Sequence, residues 1–459
     1  KQFNLKVYEE CHHLPANELS RLATIPSATS LGVTACVAQS SRILCNDDWR
    51  YAGELLGQTV ELYGVDKDSL KLTRQKAKVV ETQWLGNKAP FHVMTKARSL
   101  SCTGDHPFLS WKWGKGYQDA KIDYVHAKKL RDGDLVATVT LAPLPKDKER
   151  IRLLGFSYGD SHLRRPQGYY RLSFTVGDGE ELEIERALLR LGYNFRTTKK
   201  PNRKAFQIEV HGQELGRAFA ERGAPIGKKT TQYIRIPCLE TPEEKALFLS
   251  GLFGAEGSTP TLRRREHHYT SEHADSIRLS MTTQTPKFLQ KFFAFLKETL
   301  AYFHIESTID EPFERKWIGT CGEEIRRFTC TLHVNPSNLI RFLELIEYAY
   351  SPHKQEAANR VLTWLYCRQH DIELRQGRRF SHPKPLRPLA TQLREHPIHM
   401  PPVTPYTRWE RVTIAERCER KFPLADVQAP ITENFVANGF ITHNSPQRND
   451  KREEYIFAF

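Results

Sequence analysis

Across residues 36–144 apolar and polar residues alternate in short runs, broken by glycines at Gly53, Gly57, Gly64, Gly86 and Gly104. A period of two with such breaks predicts short half-buried strands, and so an all-β unit. Residues 145–370 switch to helical periodicity mixed with strands. Residues 371–405 hold seven prolines between Pro383 and Pro405, with six basic residues against three acids. Proline cannot donate to a helix or a central strand, so this stretch predicts an extended linker or a basic arm. Residues 406–444 return to β alternation, as in Arg411-Val-Thr-Ile-Ala. Before them all, residues 2–35 read as strand, helix (Ala16 to Leu22) and strand. The pattern therefore describes an all-β unit split by an α/β insertion.

The insertion repeats itself. Leu153-Leu-Gly-Phe-Ser-Tyr-Gly-Asp160-Ser161 is followed by Arg171-Leu-Ser-Phe, a helix near 180–191 and Leu191-Gly-Tyr-Asn-Phe. Leu249-Ser-Gly-Leu-Phe-Gly-Ala-Glu256-Gly257 is followed by Arg278-Leu-Ser-Met, a helix near 286–300 and Tyr302-Phe-His-Ile. Two copies of one unit predict a pseudo-twofold domain, which suits a target with approximate twofold symmetry such as a DNA duplex.

Composition adds charge to this picture. The 459 residues carry a net charge of +14 and a pI near 9.3, a footprint of polyanion binding. Nine cysteines lie scattered without a CxxC pair, which argues against a zinc ribbon or a disulfide framework and fits a reducing compartment. No apolar stretch is long enough to span a membrane, and the first residues lack an apolar secretory core. A cytoplasmic monomer without membrane contact is the expectation.

The end of the β unit carries the first candidate chemistry. In Asn434-Phe-Val-Ala-Asn-Gly439-Phe-Ile-Thr-His443-Asn444-Ser445, an asparagine amide can attack its own carbonyl carbon, a neighbouring imidazole can protonate the departing amine, and a following hydroxyl can accept an acyl group. At the other end, the Cys36 thiol can attack the carbonyl of Ala35. Thr103-Gly104-Asp105-His106 places a hydroxyl and an imidazole three residues apart in a tight turn, able to hold that carbonyl and feed a proton to the leaving nitrogen.

Together these motifs resemble an intein of the Hint fold. The resemblance implies that Cys36 is the first nucleophile, that Thr103 and His106 assist the first acyl shift, that His443 and Asn444 perform the C-terminal cleavage, that Ser445 accepts the transferred chain, and that Asp426 tunes the thiol. No cofactor is implied for this chemistry. Glu433 stands where many members of the family carry a helper histidine. The repeat resembles the LAGLIDADG homing endonucleases, whose paired helices end in carboxylates that hold a divalent metal over a phosphate. Asp160 and Glu256 take those places, with Mg²⁺ as the implied ion. Lys228, Lys229 and Lys354 look like the family's phosphate-stabilising lysines, and Gly254 stands at the usual first acidic position of the second motif. Arg164, Arg165, Arg171, Arg263, Arg264 and Arg265 fall on expected ribbon strands suited to double-stranded DNA.

The outermost residues resemble an XPB-type superfamily 2 helicase. Glu9-Glu10-Cys11-His12-His13 looks like its acidic motif, and joining Ala35 to Ser445 rebuilds a Thr-Ala-Ser sequence like the motif that follows. The resulting expectation is a mixed fold: a helicase flank (1–35), the first part of a Hint splicing domain (36–144), a LAGLIDADG α+β domain of two pseudo-symmetric repeats (145–370), the basic linker (371–405), the second part of the splicing domain (406–444) and a second flank (445–459). Its function is self-excision and ligation of the flanks, with cleavage of double-stranded DNA by the insert. The alternative is a DNA-binding protein or standalone homing nuclease. A helicase segment is excluded by the missing Gly-x-x-x-x-Gly-Lys-Ser/Thr phosphate loop.

Overall fold

The computed structural model describes residues 6–9, 30–33, 36–84, 88–113, 120–201, 204–264, 272–318, 324–379 and 400–444. The chain forms two units. The first is Lys1–Ala142 with Thr407–Phe459, and the second is Pro143–Tyr406. The expected helix at Ala16 to Leu22 and the acidic motif at Glu10 to His13 lie outside the described residues, as do Ser445 and the second flank.

In the first unit, antiparallel pairs join fifteen strands into one continuous sheet among the described residues. The alternation that predicted strands also builds the core: Ile43, Leu62, Val79, Phe108, Val136, Val427, Phe435 and Phe440 are buried together. Two strand contacts bring distant sequence together. Val37–Ala38 lies between Leu424–Gln428, where Val37 faces Ala425, and Ser99–Thr103, where Val37 faces Cys102. The hairpin of Asn434–Ala437 and Phe440–His443 turns through Asn438 and Gly439, both at positive φ, the pairing that a two-residue primed turn requires. Its second strand meets Pro107–Lys112 through Phe108 and Thr442.

The second unit contains α1 (Lys146–Asp160), α2 (Glu180–Leu191), α3 (Glu214–Glu221), α4 (Pro242–Glu256), α5 (Lys287–Tyr302), α6 (Leu339–Leu345) and α7 (Pro352–Arg379). Helices α1 and α4 pack along each other at backbone distance. A Cβ on Gly155 would lie 2.0 Å from the Phe248 carbonyl oxygen, and one on Gly251 would lie 2.0 Å from that of Arg152. No side chain fits either place, so glycine is obligatory there. Thr241 caps α4 reciprocally with Glu244, fixing where the helix starts. On α1 itself, the buried Glu149 accepts from Arg152 at 2.8 Å and from the Tyr350 hydroxyl at 2.7 Å, and Arg190 lies 3.4 Å away.

Each half carries a four-stranded antiparallel sheet. In Arg171–Gly177, Leu172, Phe174 and Val176 are buried, while Arg171 and Thr175 face out. In Arg278–Thr283, Leu279, Met281 and Thr283 are buried, while Arg278, Ser280 and Thr282 face out. The 371–405 linker begins later than the prolines alone suggested, because α7 continues to Arg379. Residues 371–379 contain no proline, so a helix already nucleated from Pro352 propagates through them.

Candidate functional site

Because α1 and α4 abut, their last residues, Asp160 and Glu256, fall side by side. Burial and then the charge of Glu256 push the Asp160 carboxyl up to about 7. Burial raises Glu256 as well, against the opposing charges of Lys229 and Lys354. Two carboxylates half-withdrawn from water and repelling each other are an arrangement that a cation relieves. Among the described residues no third His, Cys, Asp or Glu joins them as a metal-binding group. Two carboxylates, with the remaining positions left to water or phosphate oxygens, match what Mg²⁺ accepts.

Two lysines close the site in matching fashion. Lys229 Nζ donates to the carbonyls of Ser157 at 2.7 Å and Gly159 at 2.5 Å, at the end of α1. Lys354 Nζ donates to the carbonyls of Gly254 at 2.8 Å and Ala255 at 2.7 Å, at the end of α4. Each ammonium thus sits on the negative end of a helix beside a carboxylate. Burial pulls Lys229 down to about 8 against the pull of Glu256 and Asp160, and lowers Lys354 against Glu180, Asp160 and Glu256. Lys228 does not join them: it is exposed, and its carbonyl accepts from Thr231. Ser161, where the motif more often has glycine, returns its hydroxyl to the Ser157 carbonyl at 2.6 Å, which accommodates it locally.

The arginines divide. Arg164 contacts His162 at 3.1 Å, and Arg171 faces outward from its strand. Arg165 lies beyond the strand, stacked over Tyr170 at 5.0 Å. The Arg263 guanidinium is taken by Asp275 at 2.5 Å, leaving it less free for a phosphate. The Arg264 backbone pairs with Glu272, and Arg265 lies outside the described residues.

The first unit gathers a second set. The Cys36 amide donates to Thr103 Oγ1 at 3.2 Å, and the Thr103 amide donates to the Cys36 carbonyl at 3.0 Å. The His106 amide closes the turn on the Thr103 carbonyl at 2.9 Å. The His106 ring is fully buried, edge-on to Phe108 and Phe435, and neither ring nitrogen has a hydrogen-bond partner among the described residues. Burial draws its pKa down to about 3, with Asp105 opposing; Asp105 itself is paired with Lys88 at 2.5 Å. Asp426 is buried one residue beyond the Ala425–Val37 pairing, so it borders Cys36. His443 packs edge-on against Tyr124 at 4.5 Å, and its Nε2 lies 3.8 Å from the Glu433 carboxylate. Asn444 donates its amide to Glu433 and its side chain to the Ala429 carbonyl, both at 2.9 Å. Thiol, hydroxyl, neutral imidazole and carboxylate therefore share one buried neighbourhood, the elements of nucleophilic and acid–base chemistry.

Three residues that the sequence did not single out for a role belong to these sites. Asn434 donates to the Val65 carbonyl, the Tyr124 hydroxyl and the Thr432 carbonyl and accepts from the Val65 amide. Tyr124 links that hub to His443. Glu180, which opens α2, faces Lys354. Asn434 had a trace as part of the terminal motif, and Glu180 as an acid in a helix's first turn.

No family model matches the chain. Among known proteins it is similar to a tRNA-splicing ligase RtcB of Pyrococcus abyssi, 26% identical over 370 residues, covering 70% of this chain and 38% of that protein. It is similar to the protein of the same name from Methanocaldococcus jannaschii, 29% identical over 279 residues, covering 55% and 27%. A more distant similarity is to the replication factor C small subunit of the latter organism, 25% identical over 342 residues, covering 64% and 17%. The chain thus spans well under half the length of these relatives. At 70% and 64% of this chain, two of the alignments must overlap, so the shared stretch is not peculiar to proteins of one name. The solved structures found include I-DmoI in complex with DNA and Mn (15% identity, 44% of this chain and 97% of that one, TM-score 0.29) and a DnaB intein from Synechocystis (19%, 23% and 68%, TM-score 0.19). Likenesses of that extent leave the fold to be argued from the chain's own elements.

These findings correct the resemblance drawn from the motifs. Four relatives carry the name of a tRNA-splicing ligase, not of a protein-splicing element, a homing nuclease or a helicase. The identification as a self-excising intein between helicase flanks is overturned on that ground, together with its nuclease alternative. The comparisons point to an enzyme, and to nothing finer.

Proposed function

We propose that the second unit of this chain is a divalent-cation-dependent enzyme of phosphoryl transfer, acting on the phosphodiester backbone of a nucleic-acid duplex. The observation that carries the reading is the meeting of Asp160 and Glu256 at the ends of two abutting helices, each helix end holding a lysine. Four of the relatives are tRNA-splicing ligases by name, and RNA ligation is also chemistry at a backbone phosphate. Outward-facing Arg171, Thr175, Arg278, Ser280 and Thr282, on sheets from two related halves, offer charge and hydroxyls to phosphates and base edges. The net charge of +14 favours the same partner. The fold we read from this is an all-β unit interrupted in sequence by an α+β unit of two pseudo-symmetric halves, working as a monomer.

Mg²⁺ held by Asp160 and Glu256 would supply Lewis-acid stabilisation of charge on the phosphate. The remaining work falls to the protein. Lys229 and Lys354, anchored to helix carbonyls, fix two positive charges beside the phosphate without reorganisation. The arginines and hydroxyls of the sheets set the register of the duplex.

The test is a pool of random-sequence DNA duplexes and a matching RNA pool, incubated with full chain and Mg²⁺ and read by sequencing of termini and junctions. A newly joined or exchanged backbone junction that depends on Mg²⁺ and disappears in Glu256→Gln supports the reading. Both pools unchanged with wild-type chain, at pH 8 and across temperature, would defeat it.

A further inference from the structure

The two lysines are anchored alike to their helix ends but tied differently to the rest of the unit. In the first half, the Thr230 carbonyl, next to Lys229, accepts from the Gln284 amide at 2.8 Å and from the Thr283 hydroxyl at 3.1 Å. That tie is made by backbone and a neutral hydroxyl. In the second half, a buried carboxylate makes it. Glu180 Oε1 accepts from the Ser351 hydroxyl at 2.6 Å, and His353 Nδ1 lies 3.8 Å from the same oxygen. Ser351 is also 3.3 Å from His353 Nδ1, and both residues belong to the segment that begins α7 and carries Lys354. The other oxygen of Glu180 accepts from the Gly177 amide at 2.9 Å, which locks the carboxylate to its own strand–helix turn. The matching places around Lys229 are Ile226 and Lys228 in the first half and, at the start of α5 in the second, the exposed Lys287. No carboxylate stands there. The two halves are therefore alike in how each lysine meets its helix end and unlike in the group that ties it to the rest of the unit.

We propose that Glu180 is a positioning residue for Lys354, holding the first turn of α7 so that the ammonium stays on the Gly254 and Ala255 carbonyls, and that this makes the two halves of the site unequal. The inference deepens the proposed phosphoryl-transfer reading and rests on it for its functional meaning. Its geometric part stands apart from it. The carboxylate bridges two turns, and a glutamine in its place can accept from the Gly177 amide with its oxygen and donate to the Ser351 hydroxyl oxygen with its nitrogen. A methyl group does neither.

The test compares the lysines directly in the full chain, by acylation with a water-soluble N-hydroxysuccinimide ester at pH 8 and peptide mass spectrometry. In Glu180→Ala, Lys354 is expected to label about tenfold faster, as the anchoring hydrogen bonds open, while Lys229 stays within about twofold of wild type. Glu180→Gln is expected to restore slow labelling. Unchanged protection of Lys354 in Glu180→Ala overturns the proposal. So does equal release of both lysines, which would assign Glu180 to general stability, and so does Glu180→Gln behaving as Glu180→Ala. Because labelling needs no nucleic acid, inactivity on the duplex pools would defeat the functional reading and leave this result to be judged by itself.

Discussion

Asp160→Asn removes one of two buried, mutually repelling carboxyls while keeping the side chain's shape. In the wild-type protein the carboxyl titrates near 7 against an ordinary value of 3.8. Above pH 7 the folded chain therefore carries a charge that burial and Glu256 oppose, a cost of up to about 4 kcal/mol. Relaxation and water around the pair reduce this, and about 2 kcal/mol is a reasonable expectation. The sign follows from linkage: between pH 4 and 7 the folded state holds a proton that the unfolded state has lost, so stability from this group falls as pH rises. Asp160→Asn should accordingly raise the melting temperature of the second unit by about 5 °C at pH 8 and by less than half as much at pH 5, where the folded carboxyl is neutral but the unfolded one has already lost its proton. Mg²⁺ should raise the wild-type melting temperature at pH 8 and leave that of the variant unmoved. Scanning calorimetry at both pH values, with and without Mg²⁺, reads all four states. A variant less stable than wild type at pH 8, or equally stabilised at pH 5 and pH 8, would refute the argument that the two acids strain each other.

Other outcomes follow from the same geometry. Gly251→Ala forces a methyl into the Arg152 carbonyl and should cost about 3 kcal/mol or prevent the second unit from folding, visible by circular dichroism melting. His106, titrating near 3 instead of 6.5, should remain a neutral imidazole at pH 5 by nitrogen-15 NMR. Since the unfolded chain takes up that proton and the folded one does not, the first unit should lose stability as pH falls from 6.5 towards 3. Arg171→Ala with Arg278→Ala should weaken binding to a DNA duplex and reduce the slope of log affinity against log salt by about 2, if each contacts one phosphate. An unchanged slope would remove these sheet faces from the interface.

Some of this was legible beforehand because local pattern and tertiary structure agree. Alternation at 36–144 and 406–444 reports strands with one buried face. The glycines of each repeat report a close helix contact, and the acids that end the motifs report where those helices stop. The lysine choice was not legible: Lys228 and Lys229 are adjacent, and only the turn at Lys229–Thr231 decides which one points inward. Glu180 was hidden because its partners, Ser351 and Gly177, lie far away and next door respectively. Asn434 was visible as part of a motif, but its role as a hub for Val65, Thr432 and Tyr124 depends on strand pairing. The boundary expected at 370 gives way to a helix end at Arg379, because the prolines at 383–405 do not govern the residues before them. The name drawn from the motifs failed for another reason: motifs report local chemistry, whereas the relatives found are whole proteins of which this chain matches a part.

Manganese binding tests the central claim most directly. Titration of Mn²⁺ into the full chain at pH 8, followed by electron paramagnetic resonance, should reveal a bound ion that is lost in both Asp160→Asn and Glu256→Gln and whose affinity rises when a nucleic-acid duplex is present. Retention of the same bound ion in both variants, or no bound ion in the wild-type chain with duplex present, would contradict the account.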